Sequence, residues 1–380
     1  MLEARDAIKN LREYHPPLAG RTGLRLDFNE STIGCSPRVL ARLRSLDAEL
    51  LARYPEREPV EKVAAGFLGL DPSQVLLTNG VDEAIHLLCS AYLDPGDEAL
   101  IAVPTFAMYA VFAQAEGARV IEVPASDNFE FPAQEVLAKI SSRTRLIAIA
   151  NPNNPTGTAV AKNILIQIAQ AAPQAAVLVD EAYFEFHGET LIDHIRPDQM
   201  RIDGTLTGDP PPIENLFIAR TFSKAYGLAG LRIGILAGDP RQIAMVRRVA
   251  SPYSVNAAAL AILPEALEDQ DYVAHYVAEV RSNRERLQRE LGDLRLQYWP
   301  SHANFVLVRI GSAHAEFVRA LRDRGILVRD RSSDPGCDGC VRLTVGTNEN
   351  THTLINALRE VVEQLGLRLP SEIARNGVRV

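Results

Sequence analysis

Short apolar segments alternate with amphipathic ones through the middle of the chain. Seven of the apolar segments have the length of strands: 74–78, 99–103, 119–123, 145–150, 176–180, 216–220 and 232–236. Between several of them, as at 81–92 and 162–171, the apolar spacing is typical of an amphipathic helix. Strands that alternate with helices favour a largely parallel sheet covered on both faces. We therefore predict one large α/β domain over residues 41–290.

The chain after residue 290 follows a different pattern. Its apolar spacing predicts the following elements in order: a strand over 296–310, a helix over 313–324, short strands over 326–329 and 341–345, and a helix over 351–365. That order indicates a smaller α+β unit. The arm formed by residues 1–40 has too little pattern to fold alone, so we expect it to pack on this unit. We assign residues 1–40 and 291–380 to a small domain.

Composition and charge limit the classes of function. Hydrophobic residues make up 47% of the 380 positions and charged residues 23%, which excludes a disordered chain. The net charge of −8 lacks the basic footprint of a general nucleic-acid binder. No apolar run approaches the roughly 20 residues that span a bilayer, and the charged first ten residues do not resemble a secretory signal. We expect a cytoplasmic protein with no nucleic-acid or membrane partner.

The four cysteines do not suggest a disulfide framework, which fits a reducing compartment. Cys337 and Cys340 form a CxxC motif, but a zinc site needs two more ligands, and Cys35 and Cys89 have no partner at a suitable spacing. The histidines show no ligand spacing either. We predict no metal site.

The segment 220–234 contains the strongest chemical signal. Lys224 follows the end of a predicted strand, and Arg232 lies 8 residues further on, where a turn could return it to the same place. A partly desolvated lysine beside another cation has a lowered pKa and can form a Schiff base. Thr221, Ser223 and Arg232 could together bind a phosphate. On residue types alone, a strand, a loop and a surface lysine remain an equal alternative.

Three other predicted strand ends contain polar residues. Asp180 and Tyr183 follow a buried strand, where α/β sheets bind ligands, although an acid that caps the next helix is the alternative. Asn154 lies in the Pro- and Asn-rich turn 151–157, which either holds an amide toward a ligand or is only a turn. Gly80 opens a predicted helix whose free N–H groups could bind phosphate. Asp82 could equally be an ordinary first-turn acid.

Together these segments resemble the fold-type I pyridoxal-phosphate aminotransferases, and more narrowly the histidinol-phosphate aminotransferase family. The resemblance covers nearly the whole chain, from residue 11 to residue 347. It rests on the lysine segment, Asn-Asn-Pro-Thr-Gly at 153–157, Asp-Glu-Ala-Tyr at 180–183, Arg-Tyr-Pro-Glu at 53–56, Pro-Thr-Phe-Ala-Met-Tyr at 104–109 and Val-Arg-Leu-Thr-Val-Gly-Thr at 341–347. It implies an α/β fold, in which a large domain with a mostly parallel seven-stranded sheet is joined to a smaller α+β domain.

The resemblance implies a cofactor, pyridoxal 5'-phosphate, and catalytic roles. Lys224 would hold the cofactor covalently and later move a proton, and Asp180 would pair with the protonated pyridine nitrogen. Tyr183 and Asn154 would hydrogen-bond the phenolic oxygen, and Phe106 would stack on the ring. The residues implied to bind the cofactor phosphate are Gly80, Val81, Asp82, Thr221, Ser223 and Arg232.

The resemblance also implies substrate residues. Arg342 would bind a substrate anion as a bidentate pair, and Arg329 would add a second phosphate contact. Tyr54 would reach in from the partner subunit, which implies a homodimer with shared sites. The other residues expected near the substrate are Tyr14, Asn29 and Tyr109.

The activity that the resemblance implies is transamination of L-histidinol phosphate with 2-oxoglutarate, giving imidazole acetol phosphate and glutamate in histidine biosynthesis. Within the same fold, an aromatic or broad-specificity aminotransferase and a threonine-phosphate decarboxylase stay open. Outside it, the alternatives are a non-catalytic scaffold, which would not need Lys224, and a nucleotide-binding protein.

Overall fold

A computed structural model describes residues 2–9, 11, 13, 20–196 and 212–367. The strands of this part are β1 Leu24–Leu26, β2 Val75–Thr78, β3 Glu98–Val103, β4 Arg119–Pro124, β5 Thr144–Ala150, β6 Ala176–Asp180, β7 Leu216–Thr221, β8 Gly234–Ala237, β9 Gln297–Tyr298, β10 Phe305–Arg309, β11 Ile326–Asp330 and β12 Cys340–Thr344. The helices are α1 Asp6–Lys9, α2 Pro37–Arg44, α3 Ala48–Ala52, α4 Glu58–Leu68, α5 Gly80–Tyr92, α6 Met108–Ala115, α7 Ala133–Lys139, α8 Lys162–Ala171, α9 Phe184–His187, α10 Pro240–Arg247, α11 Ala257–Glu268, α12 Gln270–Asp293, α13 His314–Asp323 and α14 Asn348–Leu365.

The larger sheet has seven strands in the order β2-β8-β7-β6-β5-β3-β4. Its strands pair in parallel except for β8, which is antiparallel to both of its neighbours. The connection from β7 to β8 contains only one 3₁₀ turn, Ala229–Leu231, and is too short for a parallel crossover. The predicted seven-stranded, mostly parallel sheet is thus confirmed, with small shifts in the strand bounds.

Helices cover both faces of this sheet, and its central strands are buried at every position. All five residues of β6 are buried. Val177 and Val179 belong to one apolar cluster, whereas Leu178 belongs to the cluster on the opposite face, as the alternation of side chains along a strand requires. Two apolar layers therefore hold the carboxyl ends of the central strands in place.

The second sheet has the order β1-β11-β12-β10-β9. Strand β1 comes from the N-terminal arm and pairs in parallel with β11, so that Leu24 lies opposite Ile326. The single strand predicted over 296–310 is wrong: residues 299–304, which include Pro300, form a loop between β9 and β10. Proline has no N–H to donate to a ladder, which explains the interruption. The domain boundaries near residues 41 and 290 stay a prediction.

The N-terminal arm also touches the large sheet's loops at very short range. Gly227, three residues after Lys224, has a φ of +70°, and a Cβ atom there would lie 2.1 Å from the carbonyl oxygen of Gly34. Only glycine accepts both this conformation and this contact. The arm is thereby held against the loop that contains the lysine.

The remaining sequence predictions concern Tyr14, the apparent insertion, the CxxC cysteines and the membrane. Tyr14 and most of the apparent insertion at 204–212 lie outside the described residues. Cys337 and Cys340 are buried free thiols just before and at the start of β12. Across the described ranges, no helix is long and apolar enough to cross a membrane.

Candidate active site

Three parallel strands bring the central residues of the site to one edge of the sheet. Asp180, the last residue of β6, lies opposite Ala150 at the end of β5 and opposite Ala219 in β7. Lys224 follows β7 after a short turn. Strand β8 adds a connection to β2, because Gly234 pairs with both Thr78 and Thr221. The polar residues that follow these strands therefore face one region, as expected for an α/β sheet.

Asp180 is buried, with 5% of its surface exposed. The Tyr109 hydroxyl donates a hydrogen bond of 2.6 Å to its Oδ2 atom, and the backbone N–H of Ala182 donates one of 3.0 Å to Oδ1. Burial raises the pKa of Asp180 to about 6, although both hydrogen bonds oppose the rise. A carboxylate in this position is stabilised by a cation, since burial of an unpaired charge is costly.

Tyr109 was expected among the substrate residues, and the structure gives it a different contact. Its side chain is completely buried, and its hydroxyl is used by Asp180. The ring of Phe106 meets the Tyr109 ring edge-on, with 5.7 Å between their centroids. Tyr109 thus orients the carboxylate of Asp180.

Lys224 is half-buried and held by the N-terminal arm. Its Nζ atom donates a hydrogen bond of 2.9 Å to the backbone oxygen of Phe28. Burial and then the positive charge of Arg342 lower the pKa of the lysine to about 8. About a tenth of the amine is therefore neutral at pH 7, far more than for an ordinary lysine, and the neutral amine is the nucleophilic form.

The start of helix α5 forms a cup next to Arg232. Gly80 has a φ of +73°, and a Cβ atom on it would lie 2.7 Å from Nη2 of Arg232. Arg232 forms an ion pair of 2.8 Å with Asp82, and the neighbouring hydroxyls of Thr221 and Ser223 are 2.9 Å apart. The first residue before the helix, Asn79, provides no side-chain cap, so the helix N–H groups stay available to an anion.

Asn29 connects the arm to Tyr183, which follows β6 of the larger sheet, and to Thr344 in β12 of the second sheet. Its Nδ2 atom donates a hydrogen bond of 2.9 Å to the Tyr183 hydroxyl, and its Oδ1 atom accepts one of 3.0 Å from Thr344. Its backbone oxygen accepts from Asn304, and its φ is +56°, in the left-handed region. Sequence reasoning missed Thr344 and Asn304. Thr344 lies two positions after Arg342, whereas the sequence offers no motif for Asn304.

Three arginines surround the side of the site near Asn154. Arg342 is buried, and it donates hydrogen bonds to the side chain of Asn154 and, at 2.7 Å, to the backbone oxygen of Asp27. Burial and then the charge of Arg331 lower the pKa of Arg342 to about 10. Arg329 lies directly opposite Arg342 in the β11–β12 ladder, so both side chains are on the same face.

Arg331 is the residue that sequence reasoning overlooked. It lies two positions after Arg329, a spacing that puts both on one face of a strand and could have revealed it. Arg331 forms an ion pair with Asp334, the acid recorded closest to this cluster. Arg329, Arg331 and Arg342 carry three positive charges, and Asp334 is the one acid whose charge acts on Arg342 among the described residues, which leaves an excess of two.

Tyr54 is not brought to this region within one chain. It is 78% exposed and stacks on Tyr253, with 4.4 Å between ring centroids. Next to Ser223, a cavity of about 370 Å³ lies between residues 23–32 of the arm and residues 223–230. That opening gives a small molecule access to the loop that contains Lys224.

Comparison with known proteins shows what the whole chain is similar to. The family model described as aminotransferase class I and II matches residues 21–358. A histidinol-phosphate aminotransferase of Roseiflexus castenholzii is 36% identical over 379 residues, with 94% of this chain and 97% of the relative covered. One from Trichormus variabilis is 32% identical over 368 residues, with 94% and 98% covered. The crystal structure of histidinol-phosphate aminotransferase from Sinorhizobium meliloti in complex with pyridoxal-5'-phosphate has a TM-score of 0.81 at 25% identity, covering 96% of this chain and 99% of that chain.

The contact between Tyr109 and Asp180 makes a prediction about pH. In Tyr109→Phe the carboxylate loses a hydrogen bond that favours its charged form, while its burial is unchanged. We expect the pKa of Asp180 to rise above its present value of about 6, so that more of the protonated acid is present at pH 7. Carboxyl ¹³C NMR titration, with Asp180→Asn to assign the resonance, measures the shift. Tyr92→Phe, which removes a hydroxyl bonded to Gln242, is the control, and equal titrations in both variants would contradict the role of Tyr109.

Proposed function

The chain belongs to the family of class I and II aminotransferases, and we propose that this member transfers the amino group of L-histidinol phosphate to 2-oxoglutarate in histidine biosynthesis. The observation that carries the substrate assignment is the excess positive charge of Arg329, Arg331 and Arg342 beside the site. A phosphate monoester with two negative charges matches that excess. The relatives named as histidinol-phosphate aminotransferases support the same substrate.

The residues at the sheet edge fit pyridoxal 5'-phosphate. Asp180 offers a buried carboxylate to a protonated ring nitrogen, and Lys224 offers an amine of lowered pKa to an aldehyde. Gly80 and Gly234 keep the cup at α5 free of side chains: a Cβ atom on Gly234 would lie 2.8 Å from the carbonyl carbon of Gly80. When bound, pyridoxal phosphate supplies an electron sink that stabilises a carbanion on the substrate.

We assign the proton transfers to Lys224. Its Nζ atom has a pKa near 8, so it can accept a proton from the substrate carbon and return it within one catalytic cycle. The Phe28 carbonyl holds the amine in position between these transfers. Asp180, oriented by Tyr109, would stabilise a protonated ring nitrogen by its negative charge.

Substrate binding is assigned to the arginine side of the site. Arg342 holds the anionic group of either substrate, while Asn154 and the Asp27 carbonyl fix the direction of its guanidinium group. Arg329 and Arg331 add charge for the phosphate of histidinol phosphate. The carboxylate of glutamate, which has less charge than the phosphate, needs Arg342 alone.

We also propose a homodimer in which Tyr54 completes the partner's site. Tyr54 and Tyr253 form an exposed aromatic pair, and a cavity of about 410 Å³ beside Tyr54 is lined by Leu50 and Leu260. An aromatic pair this exposed suits an interface with a second copy. The interface would also bury Leu51, which is 65% exposed.

A subunit-mixing experiment tests the shared site. If Tyr54 serves the neighbouring subunit, inactive Lys224→Ala and Tyr54→Ala proteins mixed in equal amounts form hybrids with one intact site in each. About half of the dimers should be hybrids, and each hybrid has one intact site out of two. We therefore expect activity to return to about a quarter of the wild-type value. Sedimentation velocity of the wild type supplies the mass. A monomer, or a mixture without activity, would refute the shared site.

The half-reaction can be followed by the visible absorbance of the lysine-bound cofactor. We expect L-histidinol phosphate, added to the holoenzyme without keto acid, to remove this band at lower concentration than phenylalanine or threonine phosphate does. Lys224→Ala should lack the band from the start. If only phenylalanine removes it, the substrate assignment fails; a protein that takes up no cofactor would contradict the enzyme assignment itself.

Charge removal at the phosphate side separates the two kinds of substrate. Arg329→Ala and Arg331→Ala should each raise KM for histidinol phosphate by about 10- to 100-fold, since a charge-assisted hydrogen bond contributes about 1.5–3 kcal/mol. KM for glutamate should change much less. Steady-state kinetics with both donors measures the difference, and Arg319→Ala, an exposed arginine on α13, serves as the control. Equal losses with both donors would exclude a phosphate-binding role.

A further inference from the structure

A second cavity lies apart from the catalytic residues. It has a volume of about 580 Å³ and is lined by residues 159–163, His187, Glu189 and His302. The backbone N–H of His302 donates to the Gly157 oxygen at 2.7 Å, so the cavity adjoins the far end of the loop that contains Asn154. None of the residues assigned above to the cofactor or the substrate lines it.

Helix α8 begins beside this cavity, and no described side chain caps its N-terminus. Ala161 precedes the helix and provides no side-chain cap, and the first turn contains no acid. The N–H groups of Lys162 and Asn163 cannot bond within the helix, and no hydrogen bond from them to another described residue is recorded. Lys162 at a helix start is also unfavourable with respect to the helix dipole unless an anion is present.

A buried imidazole faces the same space without a partner. The His187 side chain is only 8% exposed, and within the described part of the chain its Nε2 atom has no hydrogen-bond partner. The nearest recorded acid oxygen, from Glu189, is 3.9 Å away, on a side chain that is 53% exposed. The His302 ring lies edge-on to it, with 4.9 Å between centroids. A buried polar atom with no partner is unusual and marks a place where a ligand can bind.

The surroundings are positive, although the whole chain has a net charge of −8. Arg281 and Arg284 of α12 direct their guanidinium groups to backbone oxygens of Phe186 and neighbouring residues. Within the described part of the chain, neither arginine forms an ion pair with a carboxylate. Burial lowers the pKa of both His187 and His302. The His302 ring and both arginines lower the pKa of His187 further, Arg284 lowers that of His302, and Glu189 opposes the shift of each.

We propose that this cavity is a second binding site, for a phosphate-type oxyanion: inorganic phosphate or the phosphate group of a phosphomonoester. The anion would accept hydrogen bonds from the N–H groups of Lys162 and Asn163 and from protonated His187, while the Lys162 ammonium group balances its charge. Binding would take up a proton on His187. The affinity for phosphate should therefore be higher at pH 6 than at pH 8. The other titratable or charged groups around the cavity and the His187 ring are Lys162, Glu189, Arg281, Arg284 and His302.

The experiment follows the imidazole resonances of the holoenzyme by NMR while inorganic phosphate is added in a phosphate-free buffer. His187→Gln and His302→Gln assign the two signals. We expect millimolar phosphate to raise the titration midpoint of His187 by about one pH unit. In Lys162→Glu this shift should be lost, with the cofactor absorbance unchanged. Lys139→Glu, which makes the same change of charge at the end of α7, should keep it.

Each outcome decides the proposal. If phosphate leaves the His187 midpoint unchanged in the wild type, or shifts it equally in Lys162→Glu and Lys139→Glu, there is no site in this cavity. A larger shift with glycerol 3-phosphate than with inorganic phosphate at equal concentration supports a phosphomonoester as the ligand. Equal shifts support free phosphate. Because the readout is the His187 signal, it does not depend on the activity proposed for the catalytic site.

Discussion

The burial of one carboxylate, Asp180, at the end of the central strand β6 is the constraint on which the site depends. Two apolar layers fix that strand end, and burial raises the pKa of the acid to about 6. The Tyr109 hydroxyl and the Ala182 N–H hold the carboxylate in one orientation but do not neutralise it. The fold thus creates a buried negative charge that these two hydrogen bonds stabilise only in part and that a cationic group would stabilise further, and the other polar residues are arranged around the space such a group would occupy.

A second set of charges, of opposite sign, links binding to reactivity. Burial is the largest cause that lowers the pKa of Lys224 and of Arg342; the positive charge of Arg342 then lowers that of Lys224 further, and Arg331 that of Arg342. An anion bound to these arginines would reduce both effects. The same electrostatic potential therefore attracts a charged substrate and keeps the lysine partly neutral before the substrate arrives, and the two properties cannot be altered independently by mutation of Arg342.

The sequence predicts those parts of the structure that depend on local pattern. Apolar periodicity located the seven strands of the larger sheet, and short motifs located Lys224, Asp180 and Asn154 near its carboxyl edge. Pattern failed where distant contacts decide. Residues 296–310 look uniformly strand-like, although Pro300 interrupts the ladder. The partners of Asn29, namely Tyr183 and Thr344, lie 154 and 315 residues away, and no local signal indicates such contacts. Tyr109 was predicted to lie near the substrate; its motif does not show that its hydroxyl bonds to Asp180.

The pairing of β1 with β11 has a consequence for synthesis of the protein. Leu24 leaves the ribosome about 300 residues before Ile326, its partner in the ladder. During that interval the large sheet can form, because its strands all come from residues 75–237. The arm cannot. The Phe28 carbonyl and Asn29 side chain therefore reach Lys224 and Tyr183 in their native arrangement only after β11 and β12 have been made, so a nascent chain that has not yet reached these strands holds Lys224 in an unfinished pocket.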